Sequence, residues 1–159
     1  TSLRSPAGST RCWRAGGKAQ APPSCYDKRM NVILVPISPG ELLDKITILR
    51  IKAARMNDAA KLENVRHELA LLEQTWTRAV PQATELATEE HALETVNTRL
   101  WDIEDRIREH EAGRRFDASF IELARAVYVT NDERAAIKKR INVALGSKIV
   151  EEKSYRPYT

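Results

Sequence analysis

Ser38-Pro39-Gly40-Glu41-Leu42-Leu43-Asp44-Lys45-Ile46-Thr47-Ile48-Leu49-Arg50-Ile51-Lys52 is the stretch whose reading decides the fold. Ser38 and Glu41 have capping-box spacing, S-x-x-E. In that arrangement the Ser hydroxyl accepts from the third helical N–H, and the Glu carboxylate reaches back to the Ser N–H. Pro39 stands at the first helical position, where a missing N–H is harmless. Glu41 and Asp44 place negative charge near the helix start, where the dipole favours it. Leu42, Ile46, Leu49, Ala53 and Met56 recur at steps of four and three, which predicts a helix over about 39–56 with one apolar stripe. Lys45 and Lys52 flank that stripe. Their stems can cover apolar surface while the ammonium groups reach water. The sharper reading sets them at the rim of an anion pocket.

Upstream, 31–37 reads as a short β-branched strand that Pro36 limits. Residues 1–29 are of another kind: rich in Gly, Ser, Pro and Arg, with no apolar period. They hold both cysteines, Cys12 and Cys25, and six of the 26 basic residues against one of the 22 acids. The whole-chain charge of +4 therefore comes from this segment, and the remainder is at −1. The expectation is a disordered tail lying upstream of a native start at Met30, followed by a single helical domain over 30–159. A targeting segment ranks lower, for want of an apolar h-region or an amphipathic helix. About 130 residues can bury roughly two thirds of their unfolded surface without a disulfide or metal. No stretch approaches the roughly 20 apolar residues of a membrane span. The expectation is a soluble, cytoplasmic protein.

Downstream, Asp58 is a plausible cap for a second helix, with Leu62, Val65, Leu69, Leu72, Trp76 and Ala79 as its stripe and Pro81 beyond it. A third helix is expected over about Thr84 to Ala112, stopped at Gly113, with Leu93, Val96, Leu100, Ile103 and Ile107 facing inward. A fourth, capped by Asp117, runs to Leu145 with Gly146 after it. Its contacts are Phe120, Ala124, Val127, Ile137, Ile141 and Ala144 or Leu145. The fold class is all-α: an antiparallel bundle of about four helices with short extended segments at both ends of the core. An even number of helices returns the chain to its starting end, so 148–152 is expected to pair with 32–36.

The anomaly lies within the fourth helix. Its apolar stripe turns polar at Asn131, Arg134 and Lys138, and Asn142 continues the line. The third helix carries a second stripe of Asn97, Trp101, Glu104 and Arg108. Such breaks are structural networks more often than sites, for instance Glu104 with Arg134 or Lys45. The functional alternative is a site between helices. There Lys45, Lys52, Arg134 and Lys138 receive an anion, Asn97, Trp101 and Asn131 orient it, and Glu104 is a further candidate. No catalytic residue is named. His67, His91 and His110 lack metal-ligand spacing and are expected to be solvated. Phosphate loops and nucleophile elbows are absent, and no cofactor or metal is expected. Ile137-Lys138-Lys139-Arg140, without interleaved aromatics on a core of charge −1, argues against nucleic acid.

Four blocks together resemble a bacterial family of unknown function, DUF6165, over about 30–159: Val35 to Leu49, Val96 to Asp105, Thr130 to Lys138 and Gly146 to Tyr155. The resemblance implies no catalytic residues. It places the polar positions above inside the family's signature blocks. The favoured reading is a helical binding or protein-interaction module, with self-association as one form, that meets its partner at 31–38 and 147–158. The runner-up is a small-molecule protein or enzyme with an anionic ligand held among the helices.

Overall fold

The computed structural model describes residues 26–27, 32–81, 86–154 and 156. The chain divides into two compact units, Thr1–Val35 and Pro36–Thr159. In the first, β1 (Tyr26–Asp27) pairs antiparallel with β2 (Val32–Ile33), Tyr26 opposite Ile33 and Asp27 opposite Val32. The expected strand over 31–37 is thus reduced to two residues, and its partner is local. Residues 148–152 form no strand. A short hairpin closes a smaller loop than a pairing across the whole chain, and Pro36 has no N–H to extend the ladder. Apart from Tyr26–Asp27, the expectations for 1–29 and Met30 fall outside the described residues.

The second unit is a helical bundle: α1 (Pro39–Arg55), α2 (Ala59–Ala79), α3 (Ala87–Ala112) and α4 (Ala118–Ala144). Three starts are capped as the sequence predicts. Ser38 Oγ accepts from Glu41 N, Asp58 from Ala60 N and Lys61 N, and Asp117 from Ser119 N and Phe120 N. The expected onset of α3 near Thr84 lies outside the described residues; Leu86 precedes its first turn, with no side-chain cap. At the end of α4, Gly146 takes the left-handed backbone, φ 60°, that glycine adopts without strain. Ser147 N then donates to Asn142 O and Gly146 N to Val143 O, the paired bonds of a Schellman motif.

α1 packs against all three other helices, and α3 packs against α4. It therefore buries more than one stripe: Leu43, Asp44, Thr47 and Ile51 join Leu42, Ile46 and Leu49 inside. Leu43, Ile46, Leu93, Val96, Ile137 and Ile141 centre the core, with Trp76 and Val80 closing it from the α2 side. On α4 it is Leu123 that is buried, while Ala124 is exposed and Phe120 lies half-buried. α4 runs antiparallel to α1, since Gly40 meets Asn142, Glu41 meets Lys138 and Asp44 meets Arg134. It also runs antiparallel to α3, with His110 near Ser119 and Arg99 paired to Glu133. His67 and His91 are exposed, whereas His110 is buried. Its Nδ1 lies 3.1 Å from Arg115 O in the α3–α4 turn, so the turn's own carbonyl takes the place of solvent there.

Candidate functional site

Three polar contacts join α1 to α4. At the N-terminal end of α1, Gly40 N donates to Asn142 Oδ1 at 2.7 Å. One position on, Lys138 Nζ donates to Glu41 Oε2 at 2.7 Å. One turn further, Arg134 Nε donates to Asp44 Oδ1 at 2.7 Å and Nη2 to Oδ2 at 2.5 Å. Residues 134, 138 and 142 are four apart and share one face of α4. The polar break in α4 is thus the face it presents to α1. Gly40 sits where the two backbones come closest. A Cβ there would lie 2.6 Å from Lys138 O and 2.9 Å from Asn142 Oδ1.

Asp44 is the hub, and it is almost wholly buried. Besides both arms of Arg134, its Oδ1 accepts from Asn97 Nδ2 at 2.9 Å. The second hydrogen of that amide reaches Thr47 Oγ1, also at 2.9 Å. Thr47 in turn donates to Asp44 O at 2.8 Å. Three helices thereby converge on one carboxylate, and no buried side-chain nitrogen or oxygen among the described residues lacks a partner. A buried charge without such partners would be strongly unfavourable. The hydrogen bond with Asp44 raises the Arg134 pKa above the usual arginine value, against the opposing effect of burial.

Lys138 is likewise buried, and its Nζ lies 2.7 Å from Glu41 and 2.6 Å from Glu151. Burial works against its charge, but the hydrogen bonds to Glu151 and Glu41 prevail and raise its pKa. The hydrogen bond from Lys138 holds the Glu151 carboxyl below its usual range. Glu151 belongs to the irregular segment after the Schellman turn, which folds back along α4. Lys139 Nζ is 3.0 Å from both Glu152 oxygens, and Lys153 Nζ is 3.0 Å from Asn131 O and 3.5 Å from Asp132 Oδ1.

Between the middle of α4 and this segment lies a cleft of about 750 Å³. Arg134, Lys138, Lys153, Asn131, Asp132 and Glu151 supply its polar lining, and Val127, Tyr128 and Ala135 the rest. A second cleft, of about 480 Å³, is lined by Ile48, Ile51, Leu100 and Trp101 with Asn97, Glu104 and Arg134. The Arg55 guanidinium carbon stands 6.0 Å from the Trp101 ring centroid there. Arg134 lines both clefts.

The eight residues singled out in the sequence therefore separate. Asn131, Arg134 and Lys138 share the larger cleft; Asn97, Trp101 and Glu104 share the smaller with Arg134. Lys45 joins neither, because it points to α2 and meets Glu68 at 2.6 Å. Lys52 is half-buried on α1 and lines neither cleft. The pairing of Glu104 with Arg134 or Lys45 is not what forms. Glu104 meets Arg108, four residues on, at 2.9 Å, and Arg134 takes Asp44. Asp44, Thr47, Glu41 and Glu151 belong to the network as well, without a sequence signal that marks them as site residues. Asp44 and Glu41 had a sufficient local explanation as acids at a helix start. The sequence marks only the basic stripe on α4; that these acids face it is a tertiary contact.

No described helix is long and apolar enough to cross a membrane. Among the described residues no cluster of three or more His, Cys, Asp or Glu is arranged to hold a metal ion. No curated protein and no solved structure matches the chain. Residues 33–158 match the sequence profile of a family of unknown function (DUF6165), which spans α1 to α4 and the segment folded back on α4. The chain belongs to the DUF6165 family.

Proposed function

We propose that this protein is a small-molecule binding module whose ligand sits in the cleft between mid-α4 and residues 151–153. The reading rests on the position of Arg134, a guanidinium pinned from behind by the buried Asp44 carboxylate while it lines a cleft of about 750 Å³. A side chain locked by a supporting shell presents its remaining donors without further ordering. Nε and Nη2 are committed to Asp44, while Nη1 has only a long 3.4 Å contact with Asn131 Oδ1. Of the three N–H groups on Lys138, two meet Glu41 and Glu151. The donors that remain suit an anionic group, and Val127, Tyr128 and Ala135 suit an apolar body. The volume lies within the usual range for such pockets, about 300–1,000 Å³.

The test is a thermal-shift and calorimetric titration of the full chain with phenylacetate, succinate and inorganic phosphate. A ligand at about 100 times its Kd adds about 2.7 kcal/mol of stability. Phenylacetate is expected to raise the melting temperature most. Arg134→Lys keeps the charge but loses the fork, and should remove most of that shift while the helical circular dichroism survives. A shift untouched by Arg134→Lys, or no shift with any of the three, would overturn the reading.

A second reading, a protein-interaction module, has one observation behind it. Ile33, Leu34 and Val35 are at least half exposed, at 71%, 50% and 65%. In the helical unit Ile149 and Val150 are exposed as well. Sedimentation of the wild-type chain against Val35→Asp tests it: a species heavier than the monomer that the substitution dissolves supports self-association.

A further inference from the structure

We propose that Glu151 is a built-in competitor for the α4 cleft: its carboxylate holds the position at Lys138 that the carboxylate of a small ligand takes when residues 150–153 are displaced. This rests on the small-molecule reading above and names its ligand class.

The geometry of attachment carries the inference. The Schellman turn at Leu145–Gly146 reverses the chain, and the segment then runs back along α4 without regular structure. Side-chain ion pairs from three consecutive residues fasten it: Glu151 to Lys138, Glu152 to Lys139 and Lys153 to Asp132. Lys153 adds a bond to Asn131 O. Two of the three residues, Glu151 and Lys153, are themselves walls of the cleft. The Glu152 and Lys153 pairs lie between partly exposed side chains, so each contributes little and is screened by salt, whereas the Glu151 pair reaches a buried lysine. None of these contacts is a bond of the α4 backbone ladder, so displacing the segment does not require unwinding the helix.

Glu151 differs from its neighbours in what it touches. Lys138 is the one buried cation of the three, with its side chain 10% exposed. Removing Glu151 alone would take one of two counter-charges from this cation and leave Glu41 as the other. Arg134, Lys138 and Lys153 are set against Asp44, Glu41, Asp132 and Glu151. Exchanging the Glu151 carboxylate for a ligand carboxylate leaves that count unchanged, so the exchange adds no charge to the cluster. A monocarboxylate with an apolar body fits better than a phosphate dianion, which would bring an extra negative charge beside Asp44 and Glu41.

The test uses Glu151→Gln in the full chain with two readouts. The first is acylation of Lys138 by an amine-reactive ester, followed by mass spectrometry and compared with Lys139 in the same chain. The second is the Kd for phenylacetate by calorimetry. If Glu151 competes, Lys138 labelling rises several-fold over wild type and phenylacetate binds about tenfold tighter, equivalent to about 1.4 kcal/mol. Unchanged Lys138 labelling overturns the inference whatever the binding does. Labelling that rises while both proteins bind phenylacetate equally also overturns it, but leaves the small-molecule reading standing. Labelling that rises while neither protein binds any of the carboxylates overturns both.

Discussion

Arg134 of α4 and Asp44 of α1 face each other through both guanidinium arms, Nε to Oδ1 at 2.7 Å and Nη2 to Oδ2 at 2.5 Å. The carboxylate is 2% exposed and the guanidinium side chain 26%. Asn97 of α3 completes the arrangement from the other side. This one relationship ties three helices together and aims Arg134 at the cleft.

Asp44→Ala should therefore cost more than the loss of one contact, because it strands a partly buried cation. Removing one partner of a buried pair costs about 3–5 kcal/mol, and the partial exposure of Arg134 places this one near about 3. Combining Asp44→Leu with Arg134→Met should recover much of the loss. Denaturant unfolding of the single and double variants measures both. If Asp44→Ala cost under about 1 kcal/mol, the pair would not be holding the helices.

Gly40→Ala should destabilise although alanine is the better helix former. Its Cβ would meet the Lys138 carbonyl at 2.6 Å, so α1 and α4 must part. Overpacking of this kind costs about 1–3 kcal/mol, against a propensity gain of about 1. A thermal melt reads the sign directly, and a raised melting temperature would show that the helices have room.

Lys45→Ala is the contrasting case. The Lys45–Glu68 pair is about half exposed on both sides, so its loss should change stability by less than about 1 kcal/mol. It should leave the cleft's affinity for phenylacetate unchanged, since Lys45 lines neither cleft. A binding defect in this variant would return Lys45 to the site.

The fold-back segment should be pH-sensitive at both ends. Glu151 is depressed in the folded protein, so its contact is complete above the usual glutamate range and is lost as pH falls through the lowered value. Lys138 is raised, so its contact is complete below the usual lysine range and is lost as pH rises through the raised value. The segment is thus held between the two. Amide NMR signals of 150–153 should shift at both limits while those of the core residues Leu93, Val96 and Ile141 hold in the acid arm until global unfolding. Signals of 150–153 that stay constant down through the acid range would count against the contact.

Much of the bundle was legible because its signals are local. Ser38, Asp58 and Asp117 cap helices one, two and four where the spacing put them, and Gly146 ends the fourth. The polar break at 131, 134 and 138 was legible too, as an exception to a periodic apolar stripe. Its partners were not. Asp44 reads as an ordinary acid near a helix start, and nothing local marks it as the hub of a network. Lys45, its neighbour, is the residue whose charge suggests the site instead, yet consecutive residues on a helix differ by about 100° in direction. That rotation is what separates a contact with Arg134 from a contact with Glu68 on α2.

The sequence by itself determined where three of the four helices begin and which residues share a face, because capping and the 3.6-residue period act within a few residues. Only the tertiary structure decided which face meets which. Helix pairing depends on contacts far apart in the chain, such as Gly40 with Asn142 and Asp44 with Arg134. The return of residues 150–153 onto α4, in place of the expected strand pairing, was decided in the same way. There a glycine turn and ion pairs with Lys138 and Lys139 set the path of a segment that has no period of its own.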